Sequence, residues 1–237
     1  MQIEMNKTPR SPEVIHGFLN NCERRRYVAK AVVIAQGEVS RGLHFLIKGA
    51  VTFRMRTASG HDLVLDIAHD GSFFGEAGLF EADALNCSAV RAKSPCEVAF
   101  ISYPRLRAYP ALLAALLPQL TSQLAQRLDD LSRKTAAMAF YDTEKRVVSA
   151  LQQLASSPDA HAHPEGSAIS VTRTELGCMT GASREAVGRV LIRLQARGTL
   201  RAKGRAIVML TGTQQRDMPT PSMPAMEYRS SMTSARL

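Results

Sequence analysis

No apolar run in the 237-residue chain approaches the ~20 residues needed to span a bilayer. The opening stretch MQIEMNK holds no apolar core, so no secretory signal is expected and a cytoplasmic protein is. Cysteine is scarce: Cys22, Cys87, Cys96 and Cys178 are scattered, and none forms a C-x-x-C pair. That spacing excludes a zinc ribbon, a cluster held by closely spaced thiolates and a disulfide framework. Four isolated cysteines read as small buried hydrophobes in a reducing compartment. A P-loop, a usable Ser/His/Asp arrangement and a metal-spaced cluster are also missing, which counts against an enzyme. His161-x-His163 has no third ligand nearby and reads as a solvated loop rather than half a metal site. No metal is expected.

What remains is a soluble-type composition, 45% hydrophobic and 22% charged, with a formal charge of +9. The length suggests one or two domains. The charge is uneven: residues 170–210 carry eight Lys+Arg against two Asp+Glu, a net of +6. A local basic excess attracts polyanions, of which nucleic acid is the commonest; a merely basic surface would look the same.

Patterning divides the chain. Residues 1–20, with Pro9, Ser11 and Pro12, read as a loose lead-in. From about 26 to 101 the text reads as short strands. Val51, Phe53 and Met55 alternate with Thr52, Arg54 and Arg56. A turn at 58–61 follows, and glycines punctuate the rest, as in a β-barrel or sandwich. Beyond 102 leucines recur at three- and four-residue steps. Leu117, Leu124, Leu131 and Met138 fall every seven residues, which suits a helix pairing with a copy of itself. A helix packed only on its own domain is the other reading. Pro118 leaves its start open between about 110 and 118. A second amphipathic helix covers 143–156, a polar loop covers 158–166, and the aperiodic tail beyond 212 is expected to stay disordered.

The sharpest signal lies in 170–210. Thr172 to Glu175 fits a capping box. Gly181 stops that helix, and Ser183 caps the next only two residues on. Two helices so joined form a helix-turn-helix. At about 100° per residue, Val187, Val190, Leu191 and Leu194 share the core side of the second helix. Glu185 and Arg189 lie opposite, with Arg184 on the flank and Gly188 between them, where it lets the backbone approach a surface. Arginine can grip guanine O6 and N7, and glutamate can accept from cytosine N4. A solvated face with a Glu185–Arg189 pair is the plain alternative. Residues 200–209 then read as strand, Gly204 turn and strand, a basic wing suited to phosphates.

At this point the residues resemble a known family. SREAVGRVL at 183–191 is similar to the recognition helix of the CRP/FNR regulators, the cyclic-AMP receptor proteins and their relatives. FFGEAGLF at 73–80 resembles their phosphate-binding cassette; RAKSPCEVAFISY, AFYD and PDAHAHPEG at 91–103, 139–142 and 158–166 follow the same order. The resemblance spans roughly 22–212.

It implies an α+β fold. An N-terminal jelly-roll (double-stranded β-helix) domain of the cyclic-nucleotide-binding kind would cover 21–109. A dimerisation helix and hinge would cover 110–140, with Leu117, Leu124, Leu131 and Met138 at the interface. A C-terminal winged helix-turn-helix would cover 141–212, and a disordered tail 213–237. It implies a homodimeric transcription regulator that binds double-stranded DNA. Arg184, Glu185 and Arg189 would read bases in a TGTGA-type palindrome, with half-sites about one helical turn apart. Thr172, Arg173 and Ser183 would hold phosphates, joined by Lys203 from the wing. The 158–166 segment would touch RNA polymerase; His163 and Gly166 match there, while Ala162 replaces a threonine.

The implied effector pocket comprises Gly75, Glu76, Asn86, Cys87 and Ser132. Here the match departs from the family. Asn86 stands where the family has its phosphate-binding arginine, Cys87 where it has a serine, and Leu131 where it has a threonine. Loss of a charged partner to a partly buried phosphate costs on the order of 2–5 kcal/mol, roughly 30- to several-thousand-fold in affinity. Three readings follow: weak or absent cyclic-AMP binding with a DNA-competent free state, a different effector such as cyclic di-GMP, or cyclic AMP held by another arginine, for which Arg91 is nearest in sequence. Among other sensor types, the fumarate-nitrate kind needs an N-terminal cysteine cluster, and only Cys22 lies there. A haem sensor needs an axial ligand, and nothing singles out His44, His61 or His69.

Overall fold

The computed structural model describes residues 12–210. These form two compact units, one comprising the residues up to Tyr141 together with 177–182, the other comprising 142–176 and the residues from Ser183 on. The tail expected at 213–237, and residues 1–11 of the expected lead-in, lie outside the described residues.

The first unit is built on two four-stranded antiparallel sheets. One runs in the order β1 (Glu23–Tyr27), β8 (Cys96–Ser102), β3 (Gly42–Lys48), β6 (Phe73–Phe74). The other runs β2 (Val32–Ile34), β7 (Ala89–Ala92), β4 (Ala50–Arg56), β5 (Asp62–His69). Strand β3 explains the layering. Its residues 42–46 are all buried because both of its faces are covered. Leu43 and Phe45 join Phe18, Phe73, Leu106, Leu116 and Leu120 in a cluster on the helix side. Leu46 joins Val51, Ala68, Phe74, Val90 and Val98 between the sheets. A strand buried on both faces reads as a continuous apolar run rather than an alternation.

Three helices cover the outer face of the first sheet: α1 (Pro12–Leu19), α3 (Tyr103–Arg107) and α4 (Pro110–Phe140); α2 (Ala77–Phe80) is a single turn. Part of the expected lead-in is therefore helix. Val14, Ile15, Phe18 and Leu19 give it an apolar face against the core, so packing overrides the weak sequence signal. The helix α4 starts at Pro110 and runs through Pro118. Pro118 removes one backbone bond, at a cost of about 3 kcal/mol. Leu116 and Leu120, both almost fully buried on either side of it, hold the helix against the core. One face of α4 thus packs on its own domain. Leu117, Leu128 and Leu131 remain exposed on it, and Leu124 and Met138 are half-buried.

The second unit opens with α5 (Thr143–Ala155), capped by the Asp142 carboxylate, which accepts from the Lys145 N–H at 2.8 Å. The segment 158–166, read as a polar loop, instead contributes β9 (His161–His163) and the start of β10 (Gly166–Ser170), which pair as a hairpin. The sheet continues through β12 (Ala206–Leu210) to β11 (Leu200–Lys203). Pairing with β12 draws β10 into the sheet, and β9 follows at its edge. Between them in sequence lie α6 (Arg173–Thr180) and α7 (Arg184–Ala196). No helix among the described residues is long and apolar enough to cross a membrane.

Candidate nucleic-acid interface and effector compartment

The helix-turn-helix is assembled by short-range bonds. Glu175 N–H donates to Thr172 Oγ1 at 3.1 Å, and Thr172 N–H donates to Glu175 Oε2 at 2.7 Å, a reciprocal capping box. Gly181 takes φ +63°, and the Ala182 N–H reaches back to the Gly177 carbonyl at 3.1 Å, closing α6. Ser183 Oγ then accepts from the Ala186 N–H at 3.1 Å and starts α7. Val187, Val190, Leu191 and Leu194 are buried. That leaves Arg184, Glu185, Arg189 and Ile192 exposed on α7. Ile192 has no structural account.

Electrostatics sort the arginines of this unit. Arg197 and Arg193 reach Glu144 on α5 at 2.5 and 3.4 Å, and Arg201 reaches Glu165 at 2.7 Å. These three are tied into the domain. Arg173, Arg184, Arg189 and Lys203 form no salt bridge among the described residues, and all four are exposed. Glu185 is held below the usual carboxylate range, first by its own backbone N–H at the helix start, then by the Ser183 hydroxyl, with Arg184 and Arg189 adding smaller attraction. The shift favours the ionised form, in which both oxygens accept and neither donates.

Gly188 requires a correction. It is buried, not outward, because the Arg173 side chain lies over it, with Cδ and Nη1 3.8 and 3.6 Å from where a Cβ would sit. Arg173 lies in ordinary contact over this position and adds a third exposed cation, beside Arg184 and Arg189, to the face of α7. Sequence periodicity on one helix could not show this, because the covering side chain comes from another.

In the first unit, the cassette is held by its own chain. Gly75 takes φ +75°, and a Cβ there would sit 2.8 Å from His44 Nδ1. The Tyr103 hydroxyl donates to the Gly75 carbonyl and lies 2.5 Å from Ser40 Oγ. Glu76 pairs with Arg127 of α4 at 3.3 Å. Arg127 also reaches Asp66 at 3.4 Å, donates to the Phe73 carbonyl at 2.8 Å and lies 4.8 Å over the Phe53 ring. Gln123 bonds both backbone groups of Phe73, at 2.9 and 2.6 Å. Glu76 is therefore satisfied by a helix 51 residues away, not by its local loop. The sequence reading missed Arg127. Its signal was its place on the inward stripe of Leu116 and Leu120, where an arginine needs a partner.

The other pocket residues are differently engaged. The Asn86 amide donates to the Glu38 carbonyl at 2.9 Å, Cys87 is exposed, and the exposed Ser132 bonds back to Leu128 O at 2.8 Å. Among the described residues no hydrogen bond joins any of them to Glu76. Arg91, the nearest other arginine in sequence, does not face the interior. Its neighbours Val90 and Ala92 enter the core between the sheets, so alternation sends Arg91 to the opposite face.

Residues 24–110 match the cyclic nucleotide-binding domain, and residues 145–212 match the Crp-like helix-turn-helix domain. The chain belongs to the CRP/FNR family of transcription regulators. It is 40% identical over 205 residues to the cAMP-activated global transcriptional regulator CRP of Pasteurella multocida, covering 86% of this chain and 98% of that one. It is 41% identical over 195 residues to the cAMP-activated regulator Vfr of Pseudomonas aeruginosa, covering 81% and 91%. Among solved structures it is similar to the c-di-GMP-responsive global regulator CLP of Xanthomonas campestris, with a TM-score of 0.78, 36% identity, and 84% and 98% covered. The fold, a β-rich sensor domain followed by a long helix and a helix-turn-helix, is the family's. Family members are DNA-binding regulators, not enzymes.

Proposed function

We propose that this CRP/FNR regulator acts in the cytoplasm as a homodimer and reads a TGTGA-like palindrome. Arg184, Glu185 and Arg189 contact bases; Thr172, Arg173, Ser183 and Lys203 hold phosphates. The observation that carries this reading is the division of the arginines. Those on the outward start of α7 are free of salt bridges among the described residues, whereas Arg193, Arg197 and Arg201 are bound within the domain. The exposed Leu117 and Leu131, with half-buried Leu124 and Met138, support α4 as the dimer seam. The 158–166 segment, with Ala162 and His161 exposed, is offered to RNA polymerase.

The effector reading we favour is a DNA-competent state that needs no cyclic AMP. Arg127 already neutralises Glu76 and braces α4 against the cassette, and Asn86 supplies no charge for a phosphate. A cyclic di-GMP response is the second reading, favoured by the likeness to CLP.

The test is titration onto a labelled TGTGA palindrome, alone and with cyclic AMP or cyclic di-GMP. Tight binding without ligand is expected. Affinity should fall on the order of a thousandfold between 50 and 200 mM salt. Arg184→Ala should lose about ten- to a hundredfold on this site and little on random DNA. Unchanged binding by Arg184→Ala would refute the base-reading assignment; binding only with cyclic AMP would refute the effector reading.

A further inference from the structure

Three arginines converge on a cavity at the outer face of the β2–β7–β4–β5 sheet. Strand register brings them together. On β4 the residues Thr52, Arg54 and Arg56 face away from the core, because Val51 and Phe53 face into it. Arg91 of β7 pairs with Thr52 on one side and with Val32 of β2 on the other. Ala89 pairs with Arg54, and Asp62 of β5 pairs with Arg56. Three arginines thus surround the small side chain of Ala89, and a cavity of about 200 Å³ opens there, lined also by Val32, Ala35, Gln36 and Asp62.

The charges are not balanced. Asp62 holds Arg54 at 2.8 Å and Arg56 at 3.6 Å. Arg91 has no salt bridge among the described residues. The cavity therefore carries three guanidinium groups against one carboxylate. Gln36 fixes the β4 end of the site: its Oε1 accepts from the Arg56 N–H at 2.9 Å, and its Nε2 donates to the Arg56 carbonyl at 3.3 Å. The remaining walls are apolar. Guanidinium forks match oxyanions bidentately and bind phosphate better than isolated ammonium groups do.

We propose that this cavity binds a phosphate oxyanion, with Arg91 as the principal ligand and Arg54 and Arg56 completing the cradle. The site is separate from the compartment of Glu76 and Arg127 and independent of the DNA-reading proposal. The phosphate could be inorganic or belong to a nucleotide, with the ribose or base against Val32, Ala35 and Ala89.

Calorimetric titration of the full chain with inorganic phosphate, cyclic AMP and cyclic di-GMP tests this. At least one of the three should bind, and inorganic phosphate alone would identify a plain anion site. Arg91→Ala should weaken that binding about tenfold or more, and Arg91→Lys less. Arg26→Ala, which removes one exposed charge from the other sheet, reports the change due to net charge alone and should be near neutral. If Arg91→Ala fails to fold, as read by its thermal midpoint, the exposed Arg56→Ala carries the test with the same expected direction. Absence of binding of all three ligands up to about 10 mM, a range weaker than about −3 kcal/mol, overturns the proposal. So does binding that survives Arg91→Ala but falls with Arg127→Ala, which would place the ligand in the inner compartment.

Discussion

Replacing Arg127 with alanine probes the bond between α4 and the cassette. Its side chain is 16% exposed, and its two carboxylate partners, Asp66 and Glu76, are 28% and 20% exposed. Breaking a fully buried pair from one side costs about 3–5 kcal/mol, because a charge is left without a counter-ion. Exposed pairs contribute about 1 kcal/mol or less. Partners that retain about a quarter of their exposure fall between, so we expect a loss of about 2 kcal/mol, including the bond to the Phe73 carbonyl. That corresponds to a fall of about 4–8 °C in the melting temperature of a domain of this size. Urea unfolding, followed by the far-UV signal, measures the difference directly. The double variant with Glu76→Gln should be less damaged than the sum of the single variants by about 1 kcal/mol, since the two residues touch. A loss below about 0.5 kcal/mol, or strict additivity, would refute the claim that Arg127 braces the helix against the cassette.

Gly188→Ala should be tolerated, because a Cβ there meets only Arg173 atoms at 3.6 Å or more, and helix propensity favours alanine by up to about 1 kcal/mol; a destabilised variant in chemical denaturation would contradict the geometry. Ser183→Ala removes the cap of α7 and should cost about 1 kcal/mol, whereas Ser183→Asp should restore it. Burial between the sheets lowers the His44 pKa from 6.5 to about 4. The unfolded chain therefore takes up this proton first, so stability is full above about pH 6.5 and falls toward pH 4, by up to about 3 kcal/mol; a pH series of unfolding midpoints in which His44→Gln has the same slope as the parent would exclude His44 as its source.

What the sequence revealed depended on how far apart the interacting residues lie. The caps at Thr172 and Ser183 join residues three apart, so type and spacing were enough to read them. The core face of α7 is likewise periodic within one helix. Failures came where a partner lies far along the chain. Arg127 and Glu76 are 51 positions apart, and neither residue type announces the other. Arg173 covers Gly188 from the preceding helix, and the side on which Arg91 faces was open in the sequence because the facing of a strand residue depends on its neighbours' burial. The departure at Asn86 was visible in sequence. Its consequence was not, because the missing charge has to be weighed against an arginine supplied by α4. That arginine already serves Glu76, Asp66 and the Phe73 carbonyl, so a ligand phosphate entering here must first take Arg127 from two carboxylates. An effector that succeeds would loosen α4 from the cassette rather than tighten it, so an inner-compartment ligand should weaken the DNA-competent state instead of creating it.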